Sequence, residues 1–374
     1  MEYDAFLLVS FGGPEGPDDV LPFLRNVTRG RGVPEERLAE VAEHYRHFGG
    51  VSPINEQSRA LLAAITERFA ADGPNLPTYW GNRNWHPFLT DTVRQMRDDG
   101  VRRALAFVTS PYGSFSACRQ YQDDIARARA EVGDGAPVID KIRHYHDHPG
   151  YVGPHADAVR AALATLPEHE PGATRLVFTA HSIPVTMAEA AGAATMAALT
   201  GDGSGSSRGV RSAEPDRSEP AGHRYETQLD DLARLVATGD LPWDLVYQSR
   251  SGPPQVPWLG PDINEHLTAL ARAGTRAVVV SPIGFISDHL EVVWDLDTEA
   301  AETAKSLGLD FVRAATPGTD PRFVDMIREL VLERTEPGHP RAALGNVPTW
   351  DFCDAACCPA PKRPGAATRP VTNG

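Results

Sequence analysis

Long hydrophobic runs are missing from this 374-residue chain: no stretch of about 18 uninterrupted apolar residues occurs, which excludes a membrane-spanning helix. Lysine is scarce, with only Lys141, Lys305 and Lys362, and basic residues as a whole are outnumbered 36 to 50, for a net charge of −14. That balance argues against a nucleic-acid partner, which needs a basic surface. Its summed field draws cations instead. No basic leader precedes the short apolar run in MEYDAFLLVSFGG, so export is not expected and the cytoplasm is the expected compartment. Neither a Walker loop nor a GxGxxG following a strand is present, so nothing calls for a nucleotide. Cysteine is scarce too. Cys118 stands alone, while Cys353, Cys357 and Cys358 crowd one short C-terminal segment. In a reducing compartment such a cluster points to metal binding before disulfides.

What is present is a globular composition, 41% hydrophobic and 23% charged, at a length that suggests two or three domains. Short apolar runs (Phe6–Ser10, Pro77–Trp80, Ala104–Thr109, Val138–Ile139, Leu176–Ala180, Leu245–Gln248, Ala277–Ser281) alternate with helix-length segments such as Glu56–Ala71, Gln120–Val132 and Leu290–Ser306. This rhythm predicts an α/β fold, with parallel sheets and crossover helices on both faces. A Gly/Ser-rich segment at about 192–222 reads as a flexible insertion, and the tail from about 360 as disordered.

A faint internal repeat is more informative. LVSFGGP (8–14) matches FTAHSIP (178–184) at an offset of 170, and SPYGSFS (110–116) matches SPIGFIS (281–287) at 171. Two similarly built halves are therefore expected, with each motif at the carboxyl end of a strand, where open α/β sheets bind ligands. Phe11 pairs with His181, Cys118 with His289 and Gln120 with Glu291 across the repeat. The second half thus carries ionisable groups where the first is apolar or neutral, so a cleft between them would have one apolar and one reactive wall. An imidazole at His181 could serve as a base or a metal ligand. Glu291, Asp295 and Glu299 recur at i, i+4 and i+8, which on an α-helix lines three carboxylates along one face. Such a file suits conduction of a cation or of protons, with Asp288 and His289 adding ligand-type atoms at its mouth. The histidines of RHYHDH (143–148) lie at a strand-to-helix junction and are expected to face solvent. RGRG (29–32) is loop-like, and its arginines could meet a ligand's carboxylates.

Taken in order, LLVSFGGP, GGVSPI, SPYGSFSACRQY, TAHSIP, PWLGP and PIGFISDHLEVVWDLDTE resemble the ferrochelatase family, from about Phe6 to Glu333. The resemblance implies two Rossmann-like, chelatase-type domains with a porphyrin cleft between them. The first would span 1–140, completed by a helix at about 320–335; the second would span 141–319; a Cys-containing tail would follow at 345–374. It implies insertion of Fe²⁺ into a porphyrin with release of two protons, a lyase reaction of haem synthesis. His181 and Glu291 would be the catalytic pair flanking the metal, Asp295 and Glu299 the acidic ladder, and Ser52 and Tyr121 porphyrin contacts. Cys118, Cys353, Cys357 and Cys358 match the ligands of a 2Fe–2S cluster in some members, with a Cys₄ zinc site the chemical alternative. Coproporphyrin III is the expected substrate, and Arg29, Arg31 and Arg83 are candidates for its propionates. Protoporphyrin IX is the runner-up. A cobalt chelatase of corrin synthesis and a non-catalytic tetrapyrrole carrier stand behind both. A monomer is expected. Phe11 departs from a tyrosine that ligates product iron in some members, and Asn84 from a histidine or tyrosine.

Overall fold

The computed structural model describes residues 2–30, 32–192, 224–252, 255–347, 349–353 and 356–361. Arg31, the Gly/Ser-rich insertion beyond Gly192 and the tail from 362 lie outside them.

Two parallel four-stranded sheets organise the chain. The first holds β1 (Ala5–Ser10), β2 (Thr78–Asn82), β3 (Arg103–Val108) and β4 (Val138–Lys141) in the order β2-β1-β3-β4. The second holds β5 (Thr174–His181), β6 (Trp243–Gln248), β7 (Ala277–Ser281) and β8 (Asp310–Arg313) in the order β6-β5-β7-β8. The order is the same in both, so the sequence repeat reflects a repeated architecture. β1 and β7 are buried along their whole length, as strands covered on both faces must be, and read as unbroken apolar runs. The sequence reading misses β8, because Asp-Phe-Val-Arg is four residues long and half polar, too short to display a period.

Crossover helices cover the sheets: α1 (Val20–Val27), α2 (Glu35–His47), α3 (Ile54–Asp72), α4 (Leu89–Asp98) and α5 (Gln120–Val132) around the first, and α6 (Pro149–Leu163), α7 (Val185–Ala190), α8 (Arg224–Val236), α9 (Ile263–Arg272), α10 (Leu290–Val292) and α11 (Ala301–Leu307) around the second. The last helix, α12 (Pro321–Thr335), packs on α3 and α6 at once. Its apolar stripe, Phe323, Ile327, Leu330 and Val331, is fully buried. Its other face is tied down by an Arg68–Asp325 ion pair and by Arg328 donating to the Asp72 carbonyl at 2.6 Å. Phe6, Leu8 and Phe107 of the first sheet share one apolar core with Leu176, Phe178 and Val279 of the second, through Tyr145, Tyr151 and Phe323.

One expectation is overturned here. His144, His146 and His148 do not face solvent; all three are buried in the connection from β4 to α6. Beside them Arg143, 2% exposed, grips Glu333 of α12 with two hydrogen bonds of 2.7 and 2.8 Å. Residues 342–346 also close over this connection, with Leu344 N donating to Asp147 O at 2.8 Å. Polar spelling suggested a solvated turn, but α12 and the tail roof it over.

Candidate active site

His181 is the last residue of β5, a central strand whose apolar run carries it to the carboxyl edge of the second sheet. Pro184 ends the extended chain, and Ser182 N donates to Gln248 O at 2.8 Å. His181 Nδ1 meets Ser182 O at 2.5 Å. A carbonyl can only accept, so Nδ1 carries the proton and Nε2 keeps its lone pair in the neutral ring.

The loop after β7 supplies the partner. Gly284 has no side chain because a Cβ there would lie 2.7 Å from Ala180 Cα, so the loop lies against the strand that delivers His181. His289 then caps the next helix, its Nδ1 accepting from Glu291 N at 3.2 Å, and this places Glu291 in the first turn of α10. Glu291 Oε2 comes to 3.6 Å from His181 Nε2. That is beyond a direct hydrogen bond. The two side chains, 110 positions apart in sequence, therefore converge with both ionisable ends open to a third group; they remain 33% and 51% exposed.

Asp288 contributes nothing to this mouth. Its carboxylate is held by Arg313 at 3.1 and 3.3 Å and by Thr316 at 3.2 Å, so it fastens the loop to β8. His289 spends Nδ1 on the cap, and burial lowers its pKa, outweighing the pull of Glu291.

Beyond α10 the helix is not α-helical. Val293–Ala300 is a π-helix, a form concentrated at functional sites. Its wider turn explains why Trp294 Nε1 donates to Glu299 Oε1, five residues on, at 2.9 Å. The acidic residues are thus not stacked at α-helical spacing, yet they share one field. Burial pushes the Asp295 pKa up to about 7, the Ser249 hydroxyl bonded to it opposes the rise, and Glu291, Glu299 and Asp262 add to it.

A pH signature follows. Between the unfolded value of 3.8 and the folded value of about 7, the native state binds the extra proton, so the stability contributed by this group falls as pH rises through that window. Asp295→Asn is expected to raise the melting temperature at pH 8 and to raise it clearly less at pH 5, where only part of the penalty has developed. An equal shift at both pH values would contradict the assignment.

The first half supplies an apolar wall. Phe11 and Trp85 pack with Phe23 and Tyr45 in a cluster that also takes in Leu290, the residue before Glu291. Above it, His44 of α2 stacks on Trp294 at 4.0 Å. Ser52 is buried under the turn at Gly13, donating its N–H to Pro14 O at 2.9 Å. Tyr121 is buried on α5, with the Arg83 guanidinium 4.4 Å above its ring and 5.8 Å from Phe11. Arg83 is itself ion-paired with Asp124 at 2.5 Å, both almost fully buried, so its charge is already matched. Asn84 turns its backbone to the site, donating to Phe11 O at 3.0 Å. Arg29 is exposed. Trp294, Ser249 and the helix pair α1–α2 went unnoticed in the sequence; the tryptophan reads only as core, and nothing local places α2 against it.

The four cysteines, more than 230 residues apart at the extremes, meet in one small pocket with Arg119 and Gln122. All are free thiols. Cys118 interacts with Cys353, Cys353 with Cys357, and Cys357 with Cys358. The Cys353 interaction, with Lys141 and His144 adding to it, holds the Cys118 thiol well below the usual range against the opposing effect of burial. Among the described residues, no three His, Cys, Asp or Glu side chains are placed to hold one metal ion.

The family model described as Ferrochelatase matches residues 3–335. A protein of Streptomyces griseus named coproporphyrin III ferrochelatase is 51% identical, over 98% of this chain and 96% of its own. One of Nocardia farcinica with the same name is 52% identical, over 99% and 100%. Among solved structures, SirB from Bacillus subtilis with Fe³⁺ superposes with a TM-score of 0.51 at 10% identity, covering 90% of this chain and 100% of that one, which is a likeness of fold.

Proposed function

The chain belongs to the ferrochelatase family, and we propose that it inserts Fe²⁺ into coproporphyrin III, releasing two protons, as a lyase of haem synthesis. The observation that carries the substrate is the near-full-length identity to relatives bearing that name. The observation that carries the chemistry is the open His181–Glu291 pair.

Metallation replaces two pyrrole N–H bonds with bonds to iron, so two protons must be accepted. His181 Nε2 takes them one at a time, passing the first on before the second arrives, because Nδ1 is committed to the Ser182 carbonyl and Nε2 keeps its lone pair. Glu291 faces the imidazolium that forms and stabilises it. Asp295, which titrates near 7, hands protons onward at neutral pH, and Glu299 continues the route. Ferrous substrate is drawn to the same carboxylates. Ser52 and Tyr121 complete the assignment as porphyrin contacts of the first half, and of the candidate arginines among the described residues, exposed Arg29 is the one available to a propionate.

The thiols fit a 2Fe–2S cluster on Cys118, Cys353, Cys357 and Cys358: each iron of such a cluster needs two thiolates, which suits four sulfurs joined in a row better than convergence on one ion. When bound, it would supply a covalent tie between the turn that leads into α5 and the tail. We also propose a cytoplasmic monomer without a nucleic-acid partner; among the described residues no helix is long and apolar enough to cross a membrane.

The test is anaerobic turnover of the purified chain with Fe²⁺ and either coproporphyrin III or protoporphyrin IX, followed by absorbance. Turnover of coproporphyrin is expected to be the faster. Preference for protoporphyrin would replace the substrate, and binding of either without metallation would leave a carrier.

A further inference from the structure

Three buried tyrosine hydroxyls lie behind the His181–Glu291 pair, and we propose that Tyr225 is a positioning residue for His181, fixing the peptide that sets the place and tautomer of the imidazole. The inference rests on His181 being the proton acceptor.

His181 ends its strand, so the peptide joining it to Ser182 lies at the last rung of the ladder. That peptide is held from both sides. Its N–H, on Ser182, donates to Gln248 O at 2.8 Å. Its carbonyl, on His181, accepts from Tyr225 Oη at 2.9 Å. The first contact is main chain to main chain and any sequence could make it. The second depends on one hydroxyl carried in from α8. The next carbonyl, on Ser182, is the one that receives His181 Nδ1. A rotation of the pinned peptide would therefore move the acceptor that selects the tautomer, and Nε2 would lose its fixed lone pair.

Tyr225 is built to stay in place. It is 4% exposed and packs edge-on against Tyr112 at 5.8 Å. Burial raises the pKa of both phenols above their ordinary value, so both remain donors across the working pH range. Tyr112 Oη donates to Ile283 O at 2.6 Å, and Tyr151 Oη reaches the same carbonyl at 3.0 Å. Ile283 stands in the loop that leads to Glu291. One layer of tyrosines thus pins both strand-end loops, Tyr225 the imidazole side and Tyr112 with Tyr151 the carboxylate side.

Tyr225→Phe removes the hydroxyl and keeps the ring. The expected result is a fall in kcat of about tenfold, the rate equivalent of one hydrogen bond, with KM for the porphyrin unchanged. In ¹⁵N NMR, His181 should leave the Nδ1–H tautomer. Tyr112→Phe loses a comparable bond and is expected to cost similar thermal stability, with the His181 tautomer retained. If Tyr225→Phe melts lower but shows the wild-type His181 spectrum and pH profile, the hydroxyl is structural only and the inference is wrong. The spectrum is read without turnover, so this failure is distinct from that of the proton-acceptor reading, which falls if His181→Ala still metallates.

Discussion

Replacing His181 with alanine is expected to lower kcat for metal insertion by about 10²–10⁴-fold, the range for removing a positioned acid–base group, while the porphyrin Kd stays near the wild-type value. The side chain is one-third exposed and makes one hydrogen bond, to the Ser182 carbonyl, so its loss costs little packing and the strand end should persist. Tyr225 and Gln248 hold the backbone there without the ring. What disappears is the lone pair on Nε2, and with it the group that Glu291 faces. Glu291→Gln should cost less, because it leaves the base and removes only the charge that stabilises its protonated form. The two losses should not add, since they act on one proton transfer. Stopped-flow metallation with matched fluorescence titration of the porphyrin checks this. Wild-type turnover in His181→Ala would end the account, as would loss of porphyrin binding in parallel with rate.

How far the sequence could lead is clearest at these same residues. The strands announced themselves, because β1 and β7 are buried along their whole length and spell apolar runs, and β5 is buried from Leu176 to Ala180. The repeat placed Phe11 and His181 at equivalent strand ends, and the sheets share one order. His181 and Glu291 were nameable from TAHSIP and SDHLEVVWDLD, but their approach to 3.6 Å depends on Gly284 nesting on Ala180, a contact between a loop and the strand that ends in His181. The π-helix was illegible: Val-Trp-Asp-Leu-Asp-Thr-Glu-Ala has an ordinary helical spelling, and the wider turn is imposed by what packs around it. Asp288 looked like a ligand until Arg313, from a strand too short to see, claimed it. The histidines of 143–148 failed in the same way. Polar residues at a junction suggest solvent, and only the later arrival of α12 and residues 342–346 takes them inside.

That buried junction carries the other large effect. Arg143→Leu is expected to destabilise the protein by about 3–5 kcal/mol, the cost of stranding a charge whose buried partner is removed. Glu333, only 6% exposed, loses both of its hydrogen bonds from the guanidinium. The same group also donates to Ala342 O at 2.7 Å and to Thr349 Oγ1 at 3.4 Å, holding the segment that leads to Cys353. Stability and tail anchoring can be separated. In Arg143→Leu/Glu333→Leu the Glu333 charge is no longer stranded, while buried Asp147, 3.8 Å from the guanidinium, still loses its partner, so part of the lost stability should return. The carbonyl of Ala342 still lacks its donor, and Thr349 Oγ1 keeps only Arg341 at 3.2 Å, so the tail should remain looser than in the wild type. Urea unfolding reports the first quantity, and limited proteolysis between residues 337 and 349 the second. If the thiols carry an iron–sulfur cluster, its visible absorption should weaken in the single and double variants alike and vanish in Cys118→Ser. Restoration of protease resistance together with stability in the double variant would mean that the tail is held by general packing around α12, and that Arg143 is no more than the partner of Glu333.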